Sequence, residues 1–151
     1  MSGVRFSILG VTIRAFTFDE AANALLLAAR ERVPTRVHFC TVSTLVYARE
    51  DAAMSDLLNS AELVLTDGMP VVWMARLKGI KAERVCGPDM TLALADRGRA
   101  QGSRHFLYGG KPEVTEALAR QLRQRFPGIQ IVGTHSPPFR KLTPAEDAAD
   151  V

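Results

Sequence analysis

Asp67 ends an apolar run, Leu63-Val64-Leu65-Thr66, and is followed at once by Gly68 and soon by Pro70. A carboxylate at the mouth of a buried strand can take a proton from an attacking hydroxyl, which is general-base chemistry. An Asp-Gly pair can equally be a plain turn. Arg84 stands in Glu83-Arg84-Val85-Cys86-Gly87-Pro88-Asp89. Its forked guanidinium suits a diphosphate, whose charge grows as a sugar bond breaks. The plainer alternative is a surface ion pair with Glu83 or Asp89. Gly109-Gly110-Lys111-Pro112 joins an apolar segment to a second one with helical spacing. Free amides at a helix start favour an anion there, while a glycine pair also serves any tight turn. The segment is neither GxGxxG nor a P-loop. His38, His105 and His135 lack metal-ligand spacing. His38 and His105 fall within predicted strands, and His135 follows a strand end where it could line a cleft.

The elements that must hold these residues alternate. Val4 to Ile13 is largely apolar and broken by Gly10, so it reads as a hairpin or bent strand. Thr17-Phe18-Asp19-Glu20 is a capping box that opens a helix to about Arg32. Strands are predicted at Arg36 to Val42, Leu63 to Thr66, Arg104 to Tyr108 and Gln130 to Val132. Helices are predicted at Ser43 to Glu50, Asp51 to Ser60, Met69 to Lys78, Pro88 to Gln101 and Pro112 to Phe126. The last has Val114, Leu118 and Leu122 on one face. Strands alternating with helices imply crossover units and a mainly parallel sheet. Ligands of such sheets sit beyond the carboxyl ends of the strands, where Asp67-Gly68, Gly109-Gly110 and Gly133-Thr134-His135 fall.

Composition narrows the class. The chain has 151 residues, of which 47% are apolar and 23% charged, with a net charge of +3. That describes an ordinary globular domain. The basic residues are scattered, and Arg120, Arg123 and Arg125 are expected on the wet side of a helix, so a nucleic-acid stripe is absent. Cys40 and Cys86 have apolar neighbours and read as buried free thiols in a reducing compartment. No signal peptide is expected, and no run reaches the about 18 apolar residues of a membrane span.

SAELVLTDGMPVVWMARLKGIKAERVCGPDM, residues 60 to 90, resembles the signature of the WecG/TagA/CpsF glycosyltransferases. FLYGGKPEVTEAL and FPGIQIVGTHSPPF resemble the blocks that follow it, in the same order. The resemblance implies a Rossmann-like α/β fold, with helices on both faces of a mainly parallel sheet. It implies an inverting hexosyltransferase without metal or other cofactor. The donor would be a UDP-sugar and the product a hexosyl or N-acetylmannosamine-type addition to a polyprenyl-diphosphate-linked acceptor, in cell-surface or exopolysaccharide synthesis. Asp67 maps onto the proposed base and Arg84 onto the Arg of Arg-Val-x-Gly. Gly68, Gly87, Asp89, Gly109, Gly110 and Lys111 fall in the matched blocks as substrate-binding candidates. The family's Thr-x-Asn ahead of this block falls on Phe39 and Thr41, so Thr41, with Ser43 and Thr44 nearby, is the expected polar substitute.

Thr143-Pro144-Ala145-Glu146 is a further capping box near Val151. With the family's later Gln-Glu block and basic tail lacking, the chain is expected to be the N-terminal part of one glycosyltransferase domain spanning 1–151. The competing expectation is an inactive nucleotide-binding or interaction module. The resemblance implies cytoplasmic placement, with contact to the inner membrane face through a following segment. It leaves homo-oligomerisation open and calls for no nucleic acid.

Overall fold

The computed structural model describes residues 3–140, 142, 143, 145, 146 and 148. Contacts divide the chain into two compact units, Met1–Leu94 and Ala95–Val151. The architecture is Rossmann-like α/β, with mostly parallel strand pairing.

The first unit opens on β1 (Val4–Ile8) and β2 (Val11–Ala15), an antiparallel hairpin. Its two-residue turn puts both Leu9 and Gly10 at positive φ, 49° and 86°, which matches the right-handed twist of the strands. Then come α1 (Phe18–Glu31), β3 (Val37–Cys40), α2 (Val42–Glu50), α3 (Ala52–Asn59), β4 (Leu63–Thr66), α4 (Met69–Leu77) and most of α5 (Gly87–Arg97), whose last turn falls past Leu94. The sheet order is β1-β2-β4-β3, and β4 runs parallel to both its neighbours. All four residues of β4 are buried, as a strand covered on both faces requires. Alternation sorts them. Leu63 and Leu65 pack with Ala21 and Ala22 of α1 and Met90 of α5, while Val64 packs with α2, α3 and α4 through Leu45, Leu58, Val71, Val72 and Ala75. The capping box at Thr17 forms in full.

The second unit contains a short 3-10 turn (Gly98–Gln101), β5 (Arg104–Tyr108), α6 (Pro112–Arg125) and β6 (Gln130–His135). β5 and β6 pair in parallel, with a register shift between His105 and Phe106.

Three expectations are corrected here. The helix expected over Pro88 to Gln101 tightens into the 3-10 turn after Arg97. β6 does not stop at Val132: Phe106 pairs with Gly133 and Tyr108 with His135, so His135 closes the strand rather than following it. Gly133 belongs in the strand because a Cβ there would lie 2.5 Å from the Phe106 ring. The buried stripe of α6 is Thr115, Ala119 and Leu122, whereas Val114 and Leu118 are exposed. Arg120, Arg123 and Arg125 are exposed as expected, and both cysteines are free and buried. Near the end of the chain the Thr143–Glu146 box forms, with each residue's backbone N–H donating to the other's side chain. Pro144, the expected first helical residue, lies outside the described residues.

Candidate functional site

In the first unit the carboxyl ends of β3 and β4 lie side by side, because Cys40 pairs with Thr66. The next residue on each strand is Thr41 or Asp67, and the Asp67 N–H donates to the Cys40 carbonyl at 3.0 Å. Each strand then turns directly into a helix. Thr41 caps α2, its hydroxyl accepting from the Thr44 N–H at 3.2 Å and standing 3.0 Å from the Thr44 hydroxyl. Gly68 caps α4 with φ 92°, a conformation that side-chain-bearing residues rarely adopt. Asp67 is thereby aimed by a strand on one side and by a helix start on the other.

The segment after α4 closes on the same edge. The Glu83 N–H donates to the Phe16 carbonyl at 3.1 Å, and the Val85 N–H donates to the Thr66 carbonyl at 2.7 Å. The buried Thr66 hydroxyl donates to the Glu83 carbonyl at 2.6 Å. These bonds place Arg84 between two carboxylates, with Nε 3.8 Å from Asp67 Oδ1 and Nη1 3.8 Å from Asp89 Oδ2. The Asp67 side chain is 18% exposed and Arg84 is 49% exposed. At 3.8 Å the pairs are held by charge rather than by a short hydrogen bond, so the guanidinium can change partner at little cost.

Burial first, and the Asp67 charge second, push the Cys40 thiol up to about 11, so it stays a neutral packing group. Cys86 donates to Asp89 Oδ2 at 2.9 Å, and burial raises its thiol as well. Gly87 opens α5 against the Phe39 ring, which a Cβ would meet at 3.5 Å. Phe39 is thus a half-buried packing residue against the core around β4 and α5.

The structure brings together Thr41, Asp67, Gly68, Arg84, Gly87 and Asp89. Gly109, Gly110 and Lys111 belong to the second unit, in the turn from β5 to α6. Both glycines have positive φ, 103° and 70°, and Lys111 caps α6 ahead of Pro112. The buried Thr115 hydroxyl donates to the Gly109 carbonyl at 2.7 Å and lies 3.1 Å from the Ser136 hydroxyl. His105 is half-buried with its Nε2 unpartnered, and burial lowers its pKa. No group of three or more His, Cys, Asp or Glu among the described residues is placed to hold a metal ion. Thr66, Glu83 and Thr115 were not singled out by sequence reasoning. Thr66 and Glu83 act through contacts distant along the chain and Thr115 through a local one, although a lone hydroxyl inside an apolar run, as at Thr66, is a signal for it.

The sequence model of the Glycosyl transferase WecG/TagA/CpsF family matches residues 6–151. The chain belongs to this family. WecG/TagA/CpsF membership implies a glycosyltransferase of cell-surface polysaccharide synthesis, and suggests a nucleotide-sugar donor and a lipid-linked acceptor. No helix among the described residues is long and apolar enough to cross a membrane.

Proposed function

We propose that the β3–β4 edge moves a hexose or N-acetylhexosamine, of the N-acetylmannosamine type, from a UDP-sugar to a polyprenyl-diphosphate-linked acceptor with inversion. The observation that carries this is the half-buried Asp67 carboxylate paired with Arg84 at the end of a fully buried strand. Asp67 takes the proton of the acceptor hydroxyl as its oxygen bonds to the anomeric carbon. The bond from that carbon to the diphosphate breaks, and UDP leaves. Arg84 meets the charge that builds on the diphosphate, where two parallel N–H donors fit phosphate geometry. Arg84 stands between Asp67 and Asp89, and a diphosphate draws it off Asp67 and frees the base. Thr41, Gly68, Gly87 and Asp89 line the donor side. In the second unit, the Gly109-Gly110-Lys111 turn offers amides and a cation to an anion. A cytoplasmic setting suits the two free thiols and a nucleotide donor.

The test is Asp67→Asn, with transfer followed by product formation and UDP binding followed by calorimetry. Asn keeps the shape but cannot take the proton, so transfer should fall about a hundred- to ten-thousand-fold while UDP affinity stays near wild type. Turnover close to wild type would reduce Asp67 to a turn residue. UDP binding without any transfer by the wild-type chain would favour a nucleotide-binding module.

A further inference from the structure

We propose that the cleft beside the β1–β2 hairpin, at Arg5 and Arg14, binds a phosphate-sized oxoanion. The hairpin alternates along its strands. Phe6, Ile8, Val11, Ile13 and Ala15 are buried on one face. Arg5, Thr12 and Arg14 fall on the other. The strand register sets Arg5 directly opposite Arg14. Side chains in such a pair start about 4.5–5.5 Å apart at Cβ, and like charges there are destabilising. Arg14 is half-buried, and burial first and the Arg5 charge second lower its pKa. A dianion held by both guanidinium forks reverses the sign of that repulsion.

The surroundings select the ligand. Arg5, Thr12 and Arg14 share a cleft of about 190 Å³ with Asn59 and Glu62. Sites for drug-sized ligands run to about 300–1,000 Å³, so a nucleotide is too large here, while one phosphate group with a few waters fits. Glu62 is the carboxylate of that lining, and it is already engaged. Arg36 donates to it from the backbone N–H at 2.7 Å and from the guanidinium at 3.1 Å, which holds the Glu62 carboxyl down at about 2. Asn59 fixes the wall of the cleft. Its Oδ1 accepts the Thr12 N–H at 3.0 Å, and its Nδ2 donates to the Gly10 carbonyl at 3.0 Å. The end of α3 thereby holds the hairpin that carries both arginines.

This cleft is separate from the candidate site. Glu62 precedes β4 and Asp67 follows it, so the two lie at opposite ends of that strand, about 13 Å of extended chain apart. An anion here takes no part in the proposed transfer, and the inference does not rest on it. The anion joins β1, an edge strand, to β2 through their side chains and so stabilises the hairpin. Free phosphate and a phosphate monoester present the same group to the two forks.

Arg84 and Lys111 are the other phosphate candidates, so the test uses the Arg84→Ala/Lys111→Ala chain. Inorganic phosphate and methyl phosphate are titrated into it at constant ionic strength, followed by calorimetry and by the arginine Nε–H signals in NMR. Phosphate should move the Arg5 and Arg14 signals, which are identified by their loss in Arg5→Gln and Arg14→Gln. Arg14→Gln should weaken binding about tenfold or more, and the more exposed Arg5→Gln about fivefold. Phosphate should raise the urea midpoint more with both arginines present than with both replaced. Binding of inorganic phosphate alone supports the proposal with the free ion as ligand. Binding of both supports it with a phosphorylated small molecule admitted. Unmoved Arg14 signals, or equal affinity with both arginines replaced, overturn it, whether or not UDP binds at the β3–β4 edge. A response matched by chloride at the same ionic strength overturns it too, since the cleft would then be reading charge alone. Should Arg14→Gln lose its circular dichroism, Arg5→Gln and the signals of the intact cleft decide.

Discussion

The two units contain the same device, a parallel strand turning into a helix, yet finish it differently. In Met1–Leu94, β4 is covered on both faces and its four residues are buried. In Ala95–Val151, β5 alternates between half-buried His105 and Leu107 and exposed Phe106 and Tyr108. α6 packs against β5 and β6, and Phe106 and Tyr108 on the other face are exposed among the described residues. Two covered faces leave a strand one register and one direction, so the residue at its end is held firmly. That is where Asp67 stands. One covered face leaves the following turn to be held by something local, and in the second unit this is the Thr115 hydroxyl on Gly109.

The comparison is sharpest in the cores. Leu65→Ala empties a fully buried position in β4 and should cost about 2–5 kcal/mol. Phe106→Ala removes a larger side chain, but one already 57% exposed, and should cost much less. Urea unfolding of both variants checks this. If Phe106→Ala cost as much as Leu65→Ala, the open face would be covered in solution and the contrast would fail.

Next come the two candidate phosphate groups. Arg84→Ala removes a charge-assisted donor worth about 1.5–3 kcal/mol, so UDP binding should weaken about tenfold or more. Lys111 is exposed at a glycine turn, and Lys111→Ala should cost only a few-fold. Calorimetry with UDP measures both. A larger loss at Lys111 would move the main phosphate contact to the second unit.

Thr115→Val keeps the shape but removes a buried hydroxyl, leaving the Gly109 carbonyl without this donor. The expected cost is about 1–3 kcal/mol by urea unfolding. An unchanged midpoint would mean that the glycine turn holds its own shape.

Much of this could be read from residue order. The strand that leads to Asp67 was legible because an apolar run such as Leu63 to Thr66, closed by Asp-Gly, marks a buried strand and its end. The Thr17 box was legible because both partners are three residues apart. The placement of Arg84 against Asp67 was not, since it depends on Val85 reaching Thr66 and Glu83 reaching Phe16, far apart in the chain. On α6, Val114, Leu118 and Leu122 and the observed Thr115, Ala119 and Leu122 both satisfy helical spacing. The larger side chains favoured the first stripe, but close approach of the helix to the strands selects small residues. Gly133 read as a strand end because glycine usually breaks strands, whereas here it makes room for the Phe106 ring.

The smallest effect belongs to His105, on the covered side of β5. Burial lowers its pKa from the ordinary 6.5, and its Nε2 has no partner to offset the loss of water. The folded chain therefore resists protonating it, while the unfolded chain takes the proton at the ordinary value. The unfolded state then binds more protons, so stability rises with pH across the window from the lowered folded value to about 6.5. Above that window the imidazole is neutral in both states and its contribution to the slope vanishes. The chain has two further histidines, so the wild type alone does not isolate the effect. The difference between wild type and His105→Gln does, measured as urea midpoints on either side of pH 6.5. The wild type should lose more stability than the variant on acidification. Parallel pH profiles would mean that water reaches Nε2, and that the covered face of the second unit is as open as the other.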